Sequence, residues 1–134
     1  MPSVWLNPPY RADLNGRFVR KLLDELEAGN VSEAVVLVHA RTAAGWFYEA
    51  AGGAAAVCFT RGRIRFATPE GPGDSPTTGS AFLYFGDRPG RFARIFGAAG
   101  LVFLDRAAPV PAAPPELAFG AGAALHAREM ETCR

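Results

Sequence analysis

Val4-Trp5-Leu6-Asn7-Pro8-Pro9-Tyr10 is the stretch on which the reading of this chain turns. Val4-Trp5-Leu6 is a short apolar run with the makeup of a buried strand. The tetrapeptide Asn7-Pro8-Pro9-Tyr10 then falls on the loop leaving the strand's carboxyl end, where open α/β sheets hold their ligands. Pro8 and Pro9 fix φ at about −65° and restrict the residues before them. The Asn7 side-chain oxygen and the Pro8 backbone carbonyl are thereby pre-aimed acceptors. An amino nitrogen conjugated to an aromatic ring or an amide lacks a free lone pair, and two acceptors drawing on its hydrogens favour a tetrahedral nitrogen able to attack. Tyr10 adds a flat face on which a planar base lifted out of its stack can rest. The competing reading is a plain proline turn.

Outward from this stretch, strand and helix patterns alternate, which predicts an α/β fold with a parallel, doubly wound sheet. Asp13 or Asn15 can cap a helix reaching to about Ala28, with Leu14, Phe18, Val19, Leu22, Leu23 and Leu26 as its apolar stripe and Gly29-Asn30 as its stop. Residues 34–38 form an unbroken apolar run suited to a strand covered on both faces. A second helix is expected over about 43–51, closed by Gly52-Gly53 as a carboxyl cap. Strands are expected over 55–60, 63–66 and 80–85, with a last helix opened by Pro89 and a closing strand over 101–104.

Arg61, Arg63 and Arg65 alternate with Ile64 and Phe66. In an extended segment the arginines share one face, a short positive stripe suited to phosphates, or simply a solvated face. The segment 67–79, rich in Pro, Gly, Ser and Thr, reads as a structureless loop and a candidate target-recognition element. His39, at a strand end, is more simply a rim residue than a catalyst. Trp46 and Phe47 are most simply core aromatics, although one of them can wall a pocket.

The chain has 134 residues and a net charge of +1, so affinity for a polyanion has to come from local clustering of charge. Lys21 is the single lysine, and the cationic chemistry is otherwise that of arginine. Cys58 and Cys133 are too few and too far apart for a disulfide scaffold or a zinc site, which points to a reduced, cytoplasmic setting and no metal. No apolar stretch is long enough for a bilayer span, so no membrane partner is expected. The domain is placed at 1–106, with 107–134 as a Pro/Ala-rich linker and tail.

The Asn7-Pro8-Pro9-Tyr10 motif resembles the catalytic motif of amino-group methyltransferases that use S-adenosylmethionine. The wider sequence resembles the phage-type DNA N6-adenine methyltransferase (Dam) family. That resemblance runs through the strand 34–40 with Arg41-Thr42, the pair Trp46-Phe47, Arg61-Gly62-Arg63-Ile64-Arg65-Phe66, and Gly79-Ser80-Ala81-Phe82-Leu83-Tyr84-Phe85-Gly86. It implies a partial Rossmann-like methyltransferase sheet with flanking helices and methylation of a flipped adenine in double-stranded DNA. Asn7, Pro8, Pro9 and Tyr10 would be catalytic, Arg61, Arg63 and Arg65 would contact DNA, and S-adenosylmethionine would be the donor. The tetrapeptide alone is shared with methyltransferases of protein glutamine and of RNA. Similar proteins carry a donor-binding turn in a longer amino-terminal region, whereas this chain begins almost at the catalytic loop. The expectation is a truncated or split form, its donor-binding half supplied by a second chain, or a non-catalytic DNA-binding remnant. Phe119-Gly120-Ala121-Gly122 is rejected as a substitute turn, because it follows a Pro/Ala stretch rather than a strand and has no room for an acidic residue about 20 positions on.

Overall fold

The computed structural model describes residues 2–9, 11–73 and 77–105. The elements run β1 (Ser3–Leu6), α1 (Ala12–Glu27), β2 (Glu33–His39), α2 (Gly45–Gly53), β3 (Ala56–Thr60), β4 (Ala67–Thr68), β5 (Gly71–Pro72), β6 (Ser80–Phe85), α3 (Pro89–Phe96) and β7 (Gly100–Leu104). Five strands form one sheet in the order β1-β2-β6-β3-β7, and β4 and β5 form a separate two-stranded ribbon.

The expected all-parallel sheet is corrected here. Only β1 and β2 pair in parallel, while β2–β6, β3–β6 and β3–β7 are antiparallel. The cause is the placement of β6, which runs back between β2 and β3. β1, β2 and β3 therefore still point the same way, with α1 and α2 as the connections between them. Strand patterns along a chain do not give the slot a returning strand takes.

Side chains of β2 alternate between the two faces. Ala34, Val36 and Val38 meet Ala81, Leu83 and Phe85 of β6 beneath Val19 and Leu22 of α1 and Phe47 and Ala50 of α2. On the other face Leu37, Ala56, Cys58, Phe82 and Tyr84 pack against Phe92 of α3, with Ile64, Phe66, Phe96 and Val102 at the margin. Every residue of β6 is buried, as expected for the central strand of a sheet with both faces covered. The aromatic stack Tyr84, Phe92 and Phe96 has ring centroids 5.2 and 4.3 Å apart and seats α3 on the sheet.

Gly29, at φ 76°, ends α1 as its sequence suggests. Its N–H donates to the Leu26 carbonyl at 3.1 Å and that of Asn30 to the Glu25 carbonyl at 2.9 Å, the paired bonds of a Schellman turn. Phe18 departs from the expected apolar stripe and is 44% exposed. Gly52 and Gly53 are the last residues of α2 itself and keep negative φ, so Ala54 is the cap. The expected strand over 63–66 is absent. Residues 63–66 join no ladder of the main sheet, because β6 and β7 fill both places beside β3, although the Phe66 carbonyl accepts from the Gly73 N–H at 2.9 Å next to the β4–β5 ribbon. The segment 67–79 is not structureless, since β4 and β5 build a hairpin turn inside it. The tail reading for 107–134 lies outside the described residues.

Candidate active site

The common direction of β1, β2 and β3 puts their carboxyl ends on one rim of the sheet, where β6 and β7 begin. That rim carries Asn7-Pro8-Pro9 after β1, Ala40-Arg41 after β2, Arg61 after β3, and Thr78-Gly79 before β6. Backbone bonds tie it together: Ala40 N–H donates to the Gly79 carbonyl at 3.0 Å and Arg61 N–H to the Ala99 carbonyl at 2.8 Å. Asn7 is exposed, Pro8 is buried and Pro9 is exposed. The loop thus has a fixed root with its acceptor side chain facing solvent. Tyr10 lies outside the described residues.

Neither Asp13 nor Asn15 caps α1. The cap position is Arg11, without a side-chain capping bond, and both expected residues fall inside the helix. Asn15 does something else. In a helix the Cα–Cβ bond leans towards the amino terminus, so its side chain reaches back over the entering loop. There its Nδ2 donates to the Pro9 carbonyl at 3.2 Å. The residue is 2% exposed, and its Oδ1 is buried with no hydrogen-bond partner among the described residues. A carbonyl can only accept, so the amide nitrogen must face it and the oxygen must be the atom left over. Leaving such an atom unpaired costs on the order of 1–3 kcal/mol. Beside it, Gly16 lets Trp46 of α2 lie against α1, where a Cβ would come within 3.0 Å of the indole. Trp46 is half-buried against the core and Phe47 fully within it, their rings meeting edge to face at 5.8 Å.

His39 Nδ1 shares a hydrogen bond with the Thr78 hydroxyl, joining the end of β2 to the segment leading into β6. Burial, and then the nearby Arg41 charge, hold its pKa below the usual imidazole value. Its bond to Thr78 ties it to the segment before β6 as a rim anchor. Thr60 Oγ1 donates to the Ser80 carbonyl at 3.1 Å and fixes the end of β3 in the same way.

Arg61, Arg63 and Arg65 are all exposed, while Ile64 and Phe66 are half-buried against the core. The alternation expected of a strand is thus present without the strand, because packing of Ile64 and Phe66 is enough to set it. From β1 to β3 is three strand spacings, about 14 Å, so the structure does not bring the arginines into the Asn7 loop: Arg61 stands on the same rim, while Arg63 and Arg65 follow it on the segment whose Ile64 and Phe66 pack on the α3 face. Arg41, exposed at the end of β2, lies between Arg61 and the Asn7 loop and was not singled out for DNA from its sequence position, since one arginine after a strand carries no pattern.

The model of the DNA N-6-adenine-methyltransferase (Dam) family matches residues 1–89. This chain belongs to the Dam family. The match takes in the Asn7-Pro8-Pro9-Tyr10 loop, β2, the arginine segment and the whole of β6. No curated protein matches the chain, and no solved structure does.

Dam membership implies a methyl donor, and the described residues can be tested for its seat. The turn from β1 to α1 is the Asn-Pro-Pro loop itself, and the turn from β2 to α2, Ala40-Arg41-Thr42-Ala43-Ala44, has neither glycine nor acid. Gly86-Asp87-Arg88, before α3, has both but lies at the opposite end of the sheet. The space a Cβ would take at Gly86 is filled by the Tyr84 hydroxyl, leaving no cradle. None of these three turns therefore offers a cradle for a donor. Among the described residues no cluster of His, Cys, Asp and Glu could hold a metal ion, and no helix is long and apolar enough to cross a membrane.

Proposed function

We propose that this chain supplies the acceptor side of an adenine-N6 methyltransferase acting on double-stranded DNA. The observation that carries the reading is the loop after β1: a buried Pro8, an exposed Asn7 and a Pro9 carbonyl tied down by Asn15 give two acceptors of fixed aim at a sheet's carboxyl rim. An adenine amino group is a poor nucleophile because its lone pair is delocalised into the ring. The Asn7 side-chain oxygen and the Pro8 carbonyl accept its two hydrogens and favour a pyramidal nitrogen. Pro9 holds the loop's shape. Tyr10 stacks on the base, which has to leave the helix to reach the rim. Arg61, Arg63 and Arg65 contact the phosphate backbone, with affinity that falls as salt rises.

S-adenosylmethionine is the donor that family membership supports, and the sheet reads as part of a Rossmann-like methyltransferase sheet because β1, β2 and β3 run together with helices between them. The acceptor chemistry assigned to Asn7 and Pro8 does not depend on where the donor sits. That none of those three turns offers a donor cradle is the observation behind a second reading, a DNA-binding chain without catalysis. Titration of the purified chain with S-adenosylmethionine, followed by transfer of labelled methyl groups to adenine-containing duplex, separates the two. Labelled N6-methyladenine upholds the proposal. Duplex binding without donor binding or transfer upholds the second reading, and label appearing only in RNA or in protein glutamine moves the acceptor away from DNA.

A further inference from the structure

We infer that Asn15 is a positioning residue for the catalytic loop, its side-chain amide holding the Pro9 carbonyl and thereby setting the aim of the Asn7 and Pro8 acceptors. This rests on the adenine-methyltransferase reading above.

Asn15 occupies a helical position where Ala or Leu would serve folding better. Asn is a poorer helix former, and its side-chain oxygen is buried here without a partner among the described residues. What the site gains in return is the single bond from Nδ2 to the Pro9 carbonyl. That carbonyl is a lever. Both prolines have φ fixed by their rings, and Pro8 is further restricted by the proline after it, so ψ of Pro9 is the soft torsion at the loop's exit. Holding the Pro9 carbonyl stiffens that torsion and leaves Pro8-Pro9 as one rigid piece between β1 and α1. Trp46, packed on Gly16 one residue further along, keeps the first turns of α1 seated while the bond is made. Acceptors displaced by about 1 Å lose on the order of 100-fold in rate, so a bond that sets their aim acts on turnover rather than on DNA affinity.

The test is Asn15→Asp, which keeps size and shape but places a carboxylate against the Pro9 carbonyl. A carboxyl at a buried site has a raised pKa, and its protonated form regains an O–H donor. With labelled S-adenosylmethionine and adenine-containing duplex, the variant is expected to keep native duplex affinity within about twofold and to lose about 100-fold in kcat at pH 8. It should recover progressively as the pH falls towards 5, while the native chain shows no such recovery. In the donor-free native protein the Asn15 side-chain amide protons, assigned by their loss in the variant, should exchange slowly with solvent. Should Asn15→Asp not fold, Asn15→Ala is expected to show the same loss of kcat at unchanged duplex affinity, without recovery at low pH. An active native chain with an unaffected variant overturns the inference alone. So does a parallel loss of transfer and duplex binding without recovery, or rapid exchange of the amide. A native chain that binds duplex yet transfers no methyl group overturns the functional reading and this inference with it.

Discussion

The Tyr84 hydroxyl donates to Glu33 Oε1 at 2.8 Å, joining two residues 51 positions apart at the amino end of β2. Arg88 completes the knot: its guanidinium donates to Glu33 Oε2 at 2.7 Å, and its backbone N–H donates to the Tyr84 hydroxyl at 3.1 Å. The rim that carries Asn7 is at the far end of the same strands, so this knot fixes the end of the sheet away from the proposed chemistry.

The knot sets a pH window for stability. The Tyr84 hydroxyl, and then the Arg88 charge against the opposing effect of burial, hold the Glu33 carboxyl below its ordinary value of 4.5. A lowered carboxylate pKa contributes stability that is fully present above the unfolded value and is lost as pH falls through the folded one. Burial, and then Glu33, push Tyr84 above its ordinary 10.0, so its share is present below that pH and is lost as pH rises through the folded value. Thermal unfolding followed from pH 3 to 11 should show a plateau falling at both ends. Tyr84→Phe should lower the plateau by roughly 2–6 °C and flatten both flanks.

Gly86→Ala should destabilise far more than an ordinary surface change. Gly86 has φ 156°, which side-chain-bearing residues rarely adopt, and a Cβ there would strike the Tyr84 hydroxyl and come within 3.2 Å of Glu33 Cγ. Strain and clash together should cost about 2–4 kcal/mol in denaturant titration. An unchanged midpoint would show that the knot is looser than described.

Asn7→Ala removes one of the two proposed acceptors from an exposed loop position while the buried Pro8 keeps the root in place. Methyl transfer should fall about 100- to 1,000-fold, as when one preorganised hydrogen-bonding group is removed from an active site. Duplex affinity and thermal midpoint should stay close to native. Equal loss of binding and transfer would count against the acceptor role.

Arg61→Ala, Arg63→Ala and Arg65→Ala should each weaken duplex binding to a similar extent whatever the sequence. Each should also reduce the slope of log K against log salt by about one if that residue contacts a phosphate. A full slope in the triple variant would move the DNA path off this segment, with Arg41, nearer the Asn7 loop along the rim, as the next residue to replace.

Much of the local structure was legible in the chain, because it depends on contacts between near neighbours. The period of Val19, Leu22 and Leu26, the Gly29 stop, the apolar run before His39, the strand at 80–85 and Pro89 at the head of α3 all follow from side-chain spacing and backbone preference. Asn15 was misread from the same information. A small polar residue near a helix start has the features of a cap whether it lies just before the helix or, as here, inside its first turns reaching back to a carbonyl.

The sequence by itself pointed to the proposed acceptor chemistry, since four adjacent residues with two prolines restrict their own conformation, and to the family through the wider run of residues 1–89. Tertiary structure alone decided where β6 runs, that β7 rather than residues 63–66 flanks β3, that Asn15 anchors Pro9, and that Arg61 stands on the rim three strands from the Asn7 loop. These depend on which strand fills which slot. That choice is made by burying apolar faces contributed from distant parts of the chain, and no local pattern encodes it.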